Sequence, residues 1–283
     1  MPVNLHPAEQ LAHSTARISC RLPDGSVSTG SGFFYAFVKE ETGNVPAIVT
    51  NKHVVAGAVS GQFNLTLRGP DGGPLVGQHI TIELDRFESR WVPHPEAQVD
   101  LCVMPIAPLL AEAAAAGKTF FFITLEESLL ATHAELSDLS ALEEVLMIGY
   151  PNGIWDATNN MPILRRGITA THPNLDYEGR KEFMIDAACF PGSSGSPVFL
   201  FNTGGWTDRK GNTMMGGVRV KLLGLLYAGP QHTATGEVRI VNVPTQQRAI
   251  AFSTIPNNLG LVIKAVRLRE MDALLRQQVA RGA

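Results

Sequence analysis

The 283-residue chain carries 23 Lys and Arg against 26 Asp and Glu, a formal net charge of −3 without a long basic run, so nothing points to a nucleic-acid partner. Hydrophobic residues are 45% and charged residues 17%, a globular composition on a length that suits two barrels or two ordinary domains. No apolar run reaches the ~18 residues of a membrane span, and the first twenty residues lack the apolar centre of a signal peptide.

Residues 1–14 read as a polar leader with room for a short helix. From about residue 15, short apolar runs alternate with turn residues, the pattern of an all-β sandwich or barrel. Strands are expected at 16–22, 30–38, 47–50, 63–67, 79–84 and 101–106, with turns at Gly43-Asn44 and 69–73. Six strands would close a first barrel over 15–106. Residues 107–144 break the rhythm and read as a connection with a helical insert. In it, 109–116 is alanine-rich and stops at Gly117, and 141–146 finishes a second helical or loop segment. A second barrel is expected over 145–256, with strands at 145–149, 163–171, 182–188, 197–201, 218–227, 238–243 and 250–255. Two long loops interrupt it, IWDATNNMP at 154–162 and a hairpin at 202–217 that contains Trp206. Residues 257–283 read as an amphipathic α-helix carrying Leu261, Ile263, Val266, Leu268, Met271, Leu274, Leu275 and Val279, with Arg267, Arg269, Arg276 and Arg281 on its other side.

Within this frame the stretch FPGSSGSPV (190–198) has the form of a nucleophile loop. Gly192 leaves its N–H free to turn toward a substrate carbonyl oxygen, and with the N–H of Ser194 it would make a two-donor oxyanion hole. Gly195 leaves space beside Ser194, and Pro197 opens the next strand, where a missing N–H is tolerated. A serine hydroxyl needs a histidine to take its proton and a carboxylate to hold that histidine. His53 ends the apolar run AIVTNKHVV (47–55), and Asp100 opens VDLCVMPI (99–106). Singly these are a Gly/Ser turn, a strand-end histidine and a strand-start aspartate. Together they follow the order His, Asp, Ser, one of several orders that nucleophilic triads take.

The segments IVTNKHVV (48–55), VDLCVMPI and DAACFPGSSGSPV (186–198) resemble trypsin-like, chymotrypsin-fold serine peptidases, closest to the bacterial HtrA/Deg branch. The stretch TGSGFF (29–34), the tetrapeptide IGYP (148–151), RGITA (166–170), GLLYA (224–228) and IPNNL (255–259) extend the likeness over residues of about 28 to 264. The resemblance implies an all-β fold of two antiparallel six-stranded β-barrels with a C-terminal α-helix and the cleft between the barrels. It implies His53 as general base, Asp100 as its orienter, Ser194 as nucleophile, and the N–H groups of Gly192 and Ser194 as oxyanion donors. It also puts a loop that orders the oxyanion site at 154–162. Two departures are expected to matter: Ser196 stands where the family usually has glycine, and no PDZ-like domain follows. An Ile-Val-Gly-Gly-like site for zymogen activation is missing as well.

By the same resemblance Ala188, Cys189 and Phe190 line one wall of the specificity pocket, and Tyr227, Ala228 and Gly229 the other. Ala188 takes the place of trypsin's basic-specific aspartate, and Asp186 lies two residues earlier, so cleavage after small or medium apolar residues is expected. Cys189 reads as pocket lining, with redox sensing as the sharper alternative. Cys20, Cys102 and Cys189 are an odd count at unrelated spacings, which suggests a reducing cytoplasm. The eight histidines show no metal-binding spacing, and no cofactor is expected. The reading is an intracellular serine endopeptidase acting on a protein or peptide. It is restrained by loop ordering, by a narrow sequence requirement or by an activating protein partner. A latent peptide-binding or chaperone module and an esterase-like hydrolase are the alternatives.

Overall fold

A computed structural model describes residues 5–41, 43–229, 231–237, 250–256 and 258–282. The leader holds a short helix: α1 (Pro7–Ala12) is closed by a capping box between His6 and Glu9, and it buries Leu11 and Ala12. The strands β1 (Thr15–Arg21), β2 (Val27–Glu40) and β3 (Gly43–Thr50) follow, then the single turn α2 (Lys52–Val55). β4 (Ser60–Arg68), β5 (Pro74–Asp85), β6 (Val92–Pro93) and β7 (Cys102–Pro105) come next. After α3 (Ala107–Ala115), which ends at Gly117 in the left-handed region, the short β8 (Phe120–Phe121) pairs with β4.

The first sheet therefore has eight strands rather than the expected six, in the order β5-β4-β1-β2-β3-β7-β6 with β8 beside β4. The two extra strands are two residues long, too short to carry an alternating pattern. Helix α4 (His133–Asp138) starts at a capping box between Thr132 and Glu135, so the second helical segment of the connection lies before 141–146. Within 141–146, residues from Glu144 onward already belong to a strand.

The second sheet is a closed ring built from β9 (Glu144–Gly149), β10 (Ile163–Thr169), β11 (Glu182–Asp186), β12 (Pro197–Thr207), β13 (Thr213–Ala228) and one further strand. The expected strand 250–255 exists as β15 (Ile250–Pro256). It pairs instead with β14 (Gln231–Glu237) in a separate two-stranded sheet. The expected strand 238–243 lies outside the described residues. The sixth place in the ring belongs to β16 (Leu259–Lys264), which bonds to β11 and β13. Those residues were expected in the terminal helix, which begins only at Arg267 (α5, Arg267–Gly282). A short apolar run such as Leu261-Val262-Ile263 fits a strand or a buried helix equally well by periodicity. Pairing with β11 and β13 decides it, and a Cβ on Gly260 would stand 2.5 Å from Leu226 Cδ1 and 2.6 Å from Cys189 Sγ, so glycine lets β16 lie close to both.

Three apolar cores result. Phe34, Ile18, Ile48 and Phe63 fill the first sheet, and Met147, Phe183, Val198 and Val262 fill the ring. The third core lies between the sheets. The alternation of β2 sends Phe33, Tyr35 and Phe37 away from Phe34 into a cluster with Ile148, Phe199 and Leu225 of the ring, and α5 adds Leu268, Met271 and Leu275. Both sheets and the helix thus share one core, and the loops that meet along this seam are held in fixed positions. Among the described residues no helix is long and apolar enough to cross a membrane.

Candidate active site

The three expected triad residues come from three places on the seam. β3 pairs with β7 so that Thr50 faces Cys102, which brings α2 beside the residues leading into β7. Asp100 then meets His53 twice: Oδ1 accepts the backbone N–H of His53 at 3.1 Å, and Oδ2 pairs with Nδ1. Asn51 Nδ2 donates to the carbonyl of Asp100 at 2.6 Å, so the aspartate is fixed through main chain and side chain alike. A carboxylate only accepts, so Nδ1 carries the proton and Nε2 keeps a lone pair free. His53 leaves half of its side chain exposed.

Ser194 sits in the loop from β11 to β12, which is bent by Gly192 (φ +82°) and Gly195 (φ +85°). A Cβ on Gly195 would lie 1.9 Å from the carbonyl oxygen of Ser31, so the first sheet presses directly on the nucleophile. Ser194 Oγ donates across a long 3.5 Å to the carbonyl of Tyr227. Neither the N–H of Gly192 nor that of Ser194 has an acceptor among the described residues. The carbonyl of Pro191 accepts the N–H of Asn152 at 2.6 Å, and in a planar trans peptide this turns the N–H of Gly192 the opposite way.

Ser31 is a residue that sequence reasoning passed over. It is fully buried, its N–H donates to the carbonyl of Ser194 (2.8 Å), its Oγ donates to the carbonyl of Gly192 (2.9 Å), and that Oγ also accepts the N–H of Tyr150 (2.9 Å). Ser31→Ala is expected to leave a buried N–H and a carbonyl unpaired, costing about 1–3 kcal/mol of stability. It is also expected to lower kcat by about ten- to a hundredfold as Gly192 drifts. Denaturant melts and kcat on one peptide reporter measure both, and an unchanged kcat would remove Ser31 from the site.

The loop 154–162 is tied to the first sheet. Trp155 meets the His79 ring edge-on at 5.9 Å and lies under the Arg17 guanidinium, while Asn160 Nδ2 donates to Thr66 Oγ1 at 3.0 Å. Arg17 Nε also donates to the carbonyl of Gly153, next to the residue that fixes Pro191. The expected pocket walls separate in character. Ala188 and Ala228 are half-buried, and Phe190 and Gly229 are exposed. Tyr227 is anchored by its hydroxyl on Glu182 Oε2 at 2.9 Å. Cys189 is buried in the core of the ring, and burial pushes its thiol up to about 11. Asp186 is exposed on β11.

Arg165, also unforeseen, points inward from β10, with only 9% of its surface exposed. Its Nη1 donates to the carbonyl of Ala188 and to Ser193 Oγ, both at 2.7 Å. Arg165 stands on the same face of β10 as buried Thr169, opposite exposed Arg166. Among the described residues no group of three or more His, Cys, Asp or Glu is gathered for a metal ion.

The sequence profile of the trypsin-like peptidase domain matches residues 30–206, well over half of the chain. The chain belongs to the trypsin-like peptidase family. This peptidase domain shares its chymotrypsin-like fold with the HtrA-type protease AlgW with tripeptide (TM-score 0.51, 16% identity, 96% of this chain and 63% of that chain covered). The chain thus spans less than two thirds of AlgW's length. Further similar structures are the Rv3671c protease from M. tuberculosis in its active form (TM-score 0.41, 16% identity, 93% and 84% covered) and Deg5 (TM-score 0.42, 19% identity, 79% and 87% covered). No curated protein sequence matches the peptidase domain.

Proposed function

We propose that the chain is a serine endopeptidase of HtrA type that cleaves protein or peptide substrates through an acyl-enzyme on Ser194. The observation that carries this reading is the Asp100–His53 pair set beside a loop whose two N–H groups, on Gly192 and Ser194, have no internal acceptor. Ser194 Oγ attacks the scissile carbonyl carbon while His53 Nε2 takes its proton, and Asp100 holds the resulting imidazolium. The tetrahedral oxygen, now negative, accepts from the two N–H groups. Collapse of the intermediate breaks the C–N bond, and His53 returns the proton to the leaving amine. Water then attacks the ester by the same route and frees Ser194.

The long contact of Ser194 Oγ with the Tyr227 carbonyl favours a resting state in which the nucleophile engages His53 only when substrate, or a regulatory protein partner, fills the cleft. Three buried, unpaired cysteines support a reducing compartment such as the cytoplasm. The test is labelling with a fluorophosphonate probe read by intact mass. One adduct on the wild type and none on Ser194→Ala is the expected result. No adduct on folded wild type, with or without peptide in the cleft, would overturn the reading.

A further inference from the structure

A guanidinium group has five N–H donors, and a buried one is costly unless they are matched. In Arg165 the two hydrogens of Nη1 are spent on the carbonyl of Ala188 and on Ser193 Oγ. Nε and Nη2 are buried and have no partner, and no ion pair holds this residue among the described ones. The Nε–Nη2 edge is one of the two faces by which arginine grips a carboxylate with paired hydrogen bonds. Burial without a counter-ion also pulls the guanidinium down to about 10, so the site favours an arriving anion.

The location gives that anion its identity. The carbonyl that Arg165 holds belongs to Ala188, one of the residues expected to line the specificity pocket, and Ser193 directly precedes the nucleophile. We propose that Arg165 is the specificity-determining residue of this pocket and that the peptidase cleaves after glutamate or aspartate, whose carboxylate completes the Nε–Nη2 fork. This rests on the serine-endopeptidase reading, and it replaces the apolar preference drawn from the sequence. That preference considered the residue at 188 and not the strand beneath it. Both donors are closed to solvent, so the carboxylate reaches them only as the side chains over them part.

Two measurements on the full chain test it. Quenched peptides identical except for Glu, Gln, Leu or Lys before the scissile bond are compared by kcat/KM. In parallel, product peptides ending in Glu, Gln or Leu are titrated onto Ser194→Ala by calorimetry. Glutamate is expected to exceed its isostere glutamine and leucine by about a hundredfold or more in kcat/KM, and by about tenfold in affinity, because a fork left unpaired penalises the neutral side chain. Arg165→Met is expected to erase the Glu-over-Gln ratio, and Arg165→Lys to keep a reduced one, which a merely structural arginine would not do. Leucine or lysine preferred by the wild type, or equal binding of the Glu and Gln peptides, would overturn the proposal. Should the wild type hydrolyse nothing, the endopeptidase reading falls while the titration still decides the pocket. Should Arg165→Met fail to fold, the wild-type ratio and the titration decide it.

Discussion

Ser194→Ala is expected to lower kcat/KM on a peptide reporter by about a million-fold, and His53→Ala by as much, while the double variant is no worse than either. The reason is that the two side chains carry one step. Without Oγ there is no nucleophile for Nε2 to deprotonate, and without Nε2 the hydroxyl stays a neutral, weak nucleophile. Asp100→Asn is expected to cost about ten-thousand-fold, for a geometric reason. Asp100 now accepts from both the main-chain N–H and Nδ1 of His53. An amide in its place offers one acceptor and one donor. If its oxygen keeps the main-chain N–H, its NH₂ faces Nδ1 and forces the proton onto Nε2, which then has no lone pair for the serine. Kinetics of the three single variants and of the Ser194/His53 pair check this, with thermal melts to show that each is folded. Losses that multiply in the double variant would mean that the two residues do not act as a unit, and the acyl-enzyme route would fail with them.

The parts legible in the sequence are those whose chemistry restricts residue type. A nucleophile loop needs glycines where the backbone must turn through positive φ, and Gly192 and Gly195 are both there. A histidine and an aspartate were readable because each stands at the end of a continuous apolar run, AIVT before His53 and LCVMPI after Asp100. Residues whose roles depend on distant partners were not legible. Ser31 reads as one more small residue in TGSGFF, and its importance arises only because its Oγ reaches the carbonyl of Gly192, 161 positions away. Arg165 reads only as part of the expected strand 163–171, where its neighbour Arg166 reaches Glu144 in solvent while Arg165 turns inward. The sixth ring strand was lost to the terminal helix for a related reason. Leu261 and Ile263 take their meaning from pairing with Met184 and Leu225, contacts that short-range periodicity does not carry.

Gly192→Ala is the sharpest test of the oxyanion site, with kcat expected to fall about a hundred- to a thousandfold and KM to change little. At φ +82° an L-residue pays about 1–2 kcal/mol for the left-handed backbone alone. The added Cβ would also stand 2.7 Å from the carbonyl oxygen of Tyr150 and 3.1 Å from the nitrogens of Asn152 and Gly153, and these are backbone atoms with no rotamer to yield. The Pro191–Gly192 peptide must therefore move. As it moves, it gives up the bond from the N–H of Asn152 that turns the Gly192 N–H away from that loop. The ground-state substrate scarcely uses that donor, whereas the developing oxyanion depends on it, so the loss falls on kcat. Gly179→Ala is the control. Its φ is +75° and a Cβ there meets nothing within 4 Å, so it carries the same backbone penalty with no displaced peptide. It is expected to lose about 1 kcal/mol of stability and leave kcat unchanged. Equal kcat in wild type and Gly192→Ala would show that the N–H of Gly192 donates nothing to the transition state. Ser194 would then be left with a single backbone donor.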